Sequence, residues 1–123
     1  MIYGIGTDIL NIKNIENSVV NIEDPFVQKT YTKKELELIQ SRPNPLFCFA
    51  TRFAGKEAVF KCLDTDGNTV RLNEIEILEK DNGQPYVILH GQAKTLADQK
   101  GISQILLSLS YDTDYAIAYA AAI

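Results

Sequence analysis

Two carboxylates stand where the surrounding sequence is apolar. Glu57 falls on the apolar arc of a predicted helix over 46–63, together with Phe53 and Phe60. Asp8 lies on a predicted strand over 2–10 that we expect to be buried on both faces. Because an isolated buried charge is costly, each carboxylate must be paired or bound to a metal. Two carboxylates with phosphate oxygens are a usual set of Mg²⁺ ligands, so a shared magnesium site is one interpretation.

The spacing also allows a purely structural interpretation. Lys61 follows Glu57 by four residues, so it could neutralise that carboxylate or contact the phosphates of a ligand. Asp8 could cap a helix that begins after the strand. Arg52 and Lys56 are expected on a flank of the long helix. No periodicity brings Asp8 to Glu57, so both interpretations stay open at this point.

The elements that must position these residues are indicated by several local patterns. Gly4 and Gly6 share a strand face with Asp8 and would let a helix or a phosphate approach closely. Thr32 and Glu35 form a capping-box pattern that begins a helix. The other patterns predict a hairpin from 75–80 and 86–89, a helix over 92–100, and a final hairpin from 105–111 and 115–123.

The bulk composition narrows the function classes. A length of 123 residues suits one domain, and the net charge of -4 argues against a general nucleic-acid binder. No apolar run is long enough to cross a bilayer, and the N-terminus does not look like a signal peptide, so we expect no membrane association and a cytoplasmic location. Cys48 and Cys62 lie too far apart on one helix for a disulfide, and two Cys with one His predict no zinc site.

Several segments together resemble the holo-[acyl-carrier-protein] synthases. The segments are Ile2–Ile9 (IYGIGTDI), Arg52–Ala58 (RFAGKEA) with Lys61, and then Asn82–Tyr86, Gly91–Ala93 and Leu107–Ser110 in the family order. The resemblance covers essentially the whole chain. Each segment is a weak signal alone, and the combination is quite specific.

The resemblance implies a single α+β domain over 1–123, with a long helix on antiparallel strands. It implies Mg²⁺-dependent transfer of the 4′-phosphopantetheine of coenzyme A to a serine of an apo acyl carrier protein, releasing adenosine 3′,5′-bisphosphate. Short members form homotrimers with sites between subunits. Carried over by position, Asp8 and Glu57 are the metal ligands and, with Lys61, the catalytic residues. The coenzyme A contacts are then Arg52, Lys56, Lys61, Pro85, Ser110 and Tyr111.

Three positions depart from the family pattern. Tyr111 stands where the family usually has His, Asp64 and Asp66 stand where it has Gly, and Asn14 stands where it has a basic residue for docking the carrier. Because of these changes, a second interpretation stays open, namely a non-catalytic member of the family that binds a carrier protein or coenzyme A. A Mg²⁺-dependent phosphohydrolase is a further alternative.

Overall fold

One long helix, α4 (Pro45–Cys62), packs across a three-stranded sheet of β1 (Gly4–Asn11), β4 (Ile105–Tyr111) and β5 (Tyr115–Ala122). The computed structural model describes residues 1–123. A separate two-stranded sheet pairs β2 (Ile75–Glu79) with β3 (Pro85–Leu89). The other helices are α1 (Lys13–Glu16), α2 (Pro25–Thr30), α3 (Lys33–Gln40), a 3₁₀ turn at Leu72–Glu74, and α5 (Gly91–Lys100). The predicted α+β arrangement is confirmed.

All strand pairs are antiparallel, and β5 lies between β1 and β4. The Asp112 carboxylate closes the β4–β5 turn by accepting hydrogen bonds from the backbone N–H groups of Asp114 and Tyr115. The Asn82 side chain accepts from the Gln84 N–H in the β2–β3 turn. Both predicted hairpins are therefore present. None of the helices has both the length and the apolar character that a membrane span requires.

Glycines on β1 let α4 approach the sheet at backbone distance. A Cβ placed on Gly4 would lie 2.2 Å from the Cys62 carbonyl oxygen, and one on Gly6 would lie 2.0 Å from the Ala58 carbonyl oxygen. These distances are too short for any side chain, so glycine is required at both positions. The element that approaches this face of β1 is thus a helix, α4. The same contact brings Asp8, two residues beyond Gly6, next to that helix.

The sheet-facing side of α4 carries small residues rather than the predicted aromatic arc. Ala50, Ala54 and Ala58 have no exposed surface, whereas Phe53 is only half-buried. Close helix–sheet approach admits only small side chains, which displaces the aromatic rings to the flanks. Glu57 lies at the edge of the buried surface and is half-buried, so its predicted place in the middle of the inner face is wrong.

The prediction that β1 is buried on both faces is also wrong for the single chain. Ile5 is 75% exposed and Ile9 is 66% exposed, because α4 covers only the opposite face of the sheet. Leu106 on β4 and Tyr119 on β5 are exposed as well. Together with Ile5, Thr7, Ile9 and Ser108 they form what we call the open sheet face, which the register of the three strands brings together.

A buried ion pair joins α3 to α4 beneath β2. Lys56 Nζ lies 2.7 Å from Glu35 Oε1, and both side chains have no exposed surface. The ammonium also donates to the carbonyl oxygens of Leu72 and Ile75, at 3.0 and 2.6 Å. Glu35 further accepts from the backbone N–H of Ile77 at 2.7 Å and completes the predicted capping box. Lys56 is therefore a core residue and does not lie on a ligand-facing flank.

Candidate active site

Asp8, Glu57 and Lys61 meet where β1 crosses the C-terminal half of α4. Lys61 Nζ lies 3.3 Å from Asp8 Oδ1 and donates to the Thr7 carbonyl oxygen at 2.9 Å. Glu57 is one helical turn before Lys61. Its carboxylate lies close enough to Asp8 for the charge of Asp8 to raise the pKa of Glu57. The sequence alone could not place Asp8 beside Glu57. The close contact of the β1 glycines with α4 does so.

The surroundings of both carboxylates disfavour the charged form. Burial raises the pKa of Glu57, the neighbouring Asp8 raises it further, and Lys61 opposes both effects. Burial likewise raises the pKa of Asp8, against the hydrogen bond and the positive charge of Lys61. A second positive charge at this junction would relieve the repulsion. The group therefore has the electrostatic character of a cation site.

The donor set suits Mg²⁺ better than zinc. No group of three or more His, Cys, Asp or Glu side chains is placed to hold a metal ion. Zinc needs such a set, whereas Mg²⁺ commonly takes one or two carboxylates and completes its shell with water and phosphate oxygens. The Asp8 side chain is 18% exposed and that of Lys61 is 53% exposed, so the junction is open to a ligand.

A second group of predicted residues lies on another side of α4. Arg52, Pro85 and Tyr111 line one pocket of about 240 Å³ together with Glu79. The Tyr111 ring stacks on Phe47, with ring centroids 5.1 Å apart and planes at 21°. Arg52 precedes Glu57 by five residues, which separates them by about 140° around the helix axis. No hydrogen bond or ion pair joins this group to Asp8, Glu57 and Lys61.

Ser110 does not join either group. It is exposed and pairs with Ile117 of β5, in register with the open sheet face. Its neighbour Tyr111 points to the helix side, since side chains alternate along a strand. The structure therefore separates two residues that are adjacent in the sequence.

Sequence reasoning missed Glu79 and Arg42. Arg42 Nη2 forms an ion pair with the Glu79 carboxylate, and Arg52 Nη2 lies 3.4 Å from the same oxygen. Arg42, Arg52 and Glu79 also line a neighbouring pocket of about 330 Å³. Arg42 and Glu79 lie outside every segment that resembles the family, so no signal in the sequence could have grouped them with Arg52.

The two acidic departures after α4 have specific local roles. Asp64 has a φ of 52°, in the left-handed region that favours glycine. Its carbonyl oxygen and that of Leu63 both accept from Lys100 Nζ, which closes the C-terminal end of α4. The Asp66 carboxylate accepts from Asn68 N–H and from the Thr69 hydroxyl, and these bonds lower its pKa. Asp66 is thus engaged within its own loop.

Comparison with known proteins identifies the family. A model of the 4′-phosphopantetheinyl transferase superfamily matches residues 4–120. The holo-[acyl-carrier-protein] synthase of Alkaliphilus oremlandii is 41% identical over 123 residues, which is 100% of both chains. The crystal structure of holo-[acyl-carrier-protein] synthase from Neisseria meningitidis superposes with a TM-score of 0.89 at 31% identity, covering 100% of this chain and 99% of that one.

A third relative carries a ligand. The Helicobacter pylori holo-[acyl-carrier-protein] synthase, solved in complex with coenzyme A, superposes with a TM-score of 0.82 at 28% identity and covers 97% of this chain and 99% of its own. The predicted family is confirmed by a full-length sequence match and by the fold together. This chain belongs to the 4′-phosphopantetheinyl transferase superfamily.

Proposed function

We propose that this protein transfers the 4′-phosphopantetheine group of coenzyme A to a serine of an apo acyl carrier protein. The observation that carries the proposal is the meeting of Asp8, Glu57 and Lys61 at the β1–α4 junction. In the reaction, the serine oxygen bonds to the phosphorus that bears the pantetheine. The bond from that phosphorus to the bridging diphosphate oxygen breaks, and adenosine 3′,5′-bisphosphate leaves.

The side chains at the junction have complementary roles in this reaction. The Lys61 ammonium is more than half-exposed and can reach a phosphate oxygen, where it offsets the charge of the leaving bisphosphate. The serine must lose its proton as it attacks. Glu57 is a candidate base, because its half-buried position disfavours the carboxylate form. A water molecule at the junction is the other candidate.

Mg²⁺ is the cation that we assign to Asp8 and Glu57. When bound, it would neutralise the diphosphate and hold it at the junction. Support comes from the raised pKa of both carboxylates, to which the charge of Asp8 contributes at Glu57, and from their partial exposure. Both features are expected of a pair that is completed by a divalent cation rather than by another side chain.

We further propose that the chain works as a homotrimer with each site built between two subunits. The open sheet face exposes Ile5, Ile9, Leu106 and Tyr119, and such a contiguous apolar surface is typical of an interface. Arg52, Pro85 and Tyr111 lie on a different side of α4 from Glu57, which also supports the proposal, because a complete site could take one group from each of two protomers. Sedimentation equilibrium of the wild type and of Ile5→Lys tests it, and a monomeric wild type would contradict it.

The test of transfer is an intact-mass assay. The protein is incubated with an apo acyl carrier protein, coenzyme A and Mg²⁺, and the mass of the carrier is followed with time. We expect the gain of one phosphopantetheine per carrier with an equal amount of adenosine 3′,5′-bisphosphate, and no gain with Asp8→Asn or with a chelator. Bisphosphate release without a change in carrier mass would indicate a hydrolase. No reaction with several carriers, while coenzyme A still binds, would indicate a non-catalytic member.

A further inference from the structure

The carboxylate of Glu79 lies between two arginines at the pocket that contains Arg52. It forms an ion pair with Arg42, and its Oε2 lies 3.4 Å from Arg52 Nη2. The side chain of Arg52 is 8% exposed and that of Glu79 is 17% exposed. One carboxylate therefore forms the ion pairs of two guanidinium groups, one of which is almost removed from water.

Arg52 has hydrogen-bonding capacity that the protein does not use. Its Nε and Nη2 atoms are buried and have no hydrogen-bond partner. The remaining contact is Nη1 with the Thr51 hydroxyl at 3.3 Å. Glu79 provides charge at 3.4 Å without satisfying these donors. Because unpaired buried donors are costly, an anion with more acceptor oxygens than a carboxylate would be favoured here.

The surrounding surface gives a ligand access to these groups. Arg52, Glu79 and Tyr111 line both the pocket of about 330 Å³ and the pocket of about 240 Å³. A group that enters either pocket meets these three side chains and that of Thr51. Arg42 and the stacked pair of Phe47 and Tyr111 belong to the larger pocket, so a cation and an aromatic surface lie side by side there. Such a combination suits a nucleotide that carries a phosphate.

We propose that Glu79 is an internal competitor of the 3′-phosphate of the ligand, and that it sets the affinity of the Arg42–Arg52 pocket for that group. This proposal rests on the proposed function, because the phosphate is that of the nucleotide end of coenzyme A. The monoester carries up to two negative charges and three acceptor oxygens, so it can replace Glu79 at both arginines. The released bisphosphate bears the same phosphate, so the competition also weakens product binding.

The test is calorimetric titration with two probes that differ in one phosphate. Adenosine 3′,5′-bisphosphate has the 3′-phosphate, and adenosine 5′-monophosphate does not. We expect Glu79→Gln to lower the Kd of the bisphosphate by about fivefold, since Glu79 is mostly buried and its removal should release the upper end of the free energy of a surface ion pair. The Kd of the monophosphate should stay unchanged. Glu79→Asp, which keeps the charge, should behave more like the wild type.

Asp81→Asn is the matched control, because Asp81 is exposed in the β2–β3 turn and the same negative charge is removed. It should leave both Kd values within about twofold of the wild type. An unchanged or weaker affinity of Glu79→Gln for the bisphosphate would overturn the proposal, as would equal strengthening for both probes. If the wild type transfers phosphopantetheine and Glu79→Gln shows no gain, only the role of Glu79 fails. If the wild type neither transfers nor binds the bisphosphate, the proposed function fails as well.

Discussion

Helix α4 carries two lysine–carboxylate pairs five residues apart, and they differ in almost every physical respect. Lys56 and Glu35 have no exposed surface and lie 2.7 Å apart. Lys61 and Asp8 are 53% and 18% exposed and lie 3.3 Å apart. Lys56 uses all three of its N–H donors within the protein, on Glu35 and two carbonyl oxygens. The Lys61 ammonium donates two hydrogen bonds within the protein, so its third N–H group can donate to a further acceptor.

The difference separates a residue that holds the fold from one that can act on a ligand. A lysine whose donors are all engaged in the core cannot reach a substrate without breaking the structure. A partly exposed lysine beside two carboxylates of raised pKa can exchange its partners for a cation and phosphates. Sequence spacing alone does not distinguish the two, because both lysines follow the same long helical pattern.

The largest expected effect on stability comes from breaking the buried pair. Lys56→Met leaves Glu35 charged and unpaired in the core, so the free energy of unfolding should fall by about 3–5 kcal/mol. Urea unfolding followed by circular dichroism measures it. The double variant Glu35→Gln with Lys56→Met should recover part of the loss, because no lone charge remains. A loss below about 1 kcal/mol for the single variant would show that the pair is not structural.

A second prediction concerns the contact that brings β1 to α4. Gly6→Ala places a Cβ 2.0 Å from the Ala58 carbonyl oxygen, so the strand must shift. We expect a loss of about 1–3 kcal/mol in the free energy of unfolding and a fall in transfer rate as Asp8 moves from Glu57. Gly67→Ala is the matched control, because a Cβ there has no neighbour within 4 Å. Equal behaviour of the two variants would exclude the contact as the positioning device.

A third prediction follows from the raised pKa values of Asp8 and Glu57. A raised pKa means that the folded chain holds the proton more tightly than the unfolded chain. The stabilising contribution is therefore present below the ordinary pKa values of 3.8 and 4.5 and is lost as the pH rises through the raised values. At about pH 7 the charged pair reduces stability, so Asp8→Asn with Glu57→Gln should melt at a slightly higher temperature than the wild type.

Thermal scans at several pH values and Mg²⁺ concentrations check this prediction. The difference in Tm should shrink as the pH falls below the ordinary pKa values of 3.8 and 4.5, because protonation of the wild-type carboxyls removes their charge. Added Mg²⁺ should raise the Tm of the wild type and leave that of the double variant unchanged, because only the wild type has the two proposed ligands. A Mg²⁺-dependent shift of equal size in both proteins would contradict the assigned site.

The smallest expected effect lies at the end of the helix that carries both lysines. Asp64 has a φ of 52°, which glycine adopts without steric cost. Asp64→Gly should therefore raise the free energy of unfolding, by about 0.5–1 kcal/mol, as measured by urea unfolding. Asp66→Gly is the comparison, since Asp66 has no positive φ and its carboxylate holds the loop. That change should lower stability, and the opposite ranking would contradict this description of the loop.

The sequence predicted the main elements because each has a local signal. The capping box at Thr32 and Glu35 and the turns at Asn82-Gly83 and Asp112–Asp114 depend on neighbours in the chain. The strand over 115–122 was also predicted, despite its alanines. Those alanines proved to be a packing feature, since Ala116, Ala118 and Ala122 have no exposed surface on the side that faces α4.

What the sequence could not predict depends on contacts between distant residues. The burial of Lys56 requires Glu35 and two carbonyl oxygens from another part of the chain. The exposure of Ile5 and Ile9 arises because nothing in the chain covers that side of the sheet. The roles proposed for Asp8, Glu57 and Lys61 rest on a family resemblance, and their proximity in space comes from the packing of Gly4 and Gly6 on α4.

The central claim is that Lys61 serves the reaction whereas Lys56 serves the fold. The most direct test is Lys61→Met, with the transfer rate and the free energy of unfolding measured on the same sample. We predict a rate lowered by about 100-fold or more and a free energy of unfolding within about 1 kcal/mol of the wild type. A wild-type rate in a stable Lys61→Met protein would contradict the claim, and so would a loss of stability as large as that of Lys56→Met.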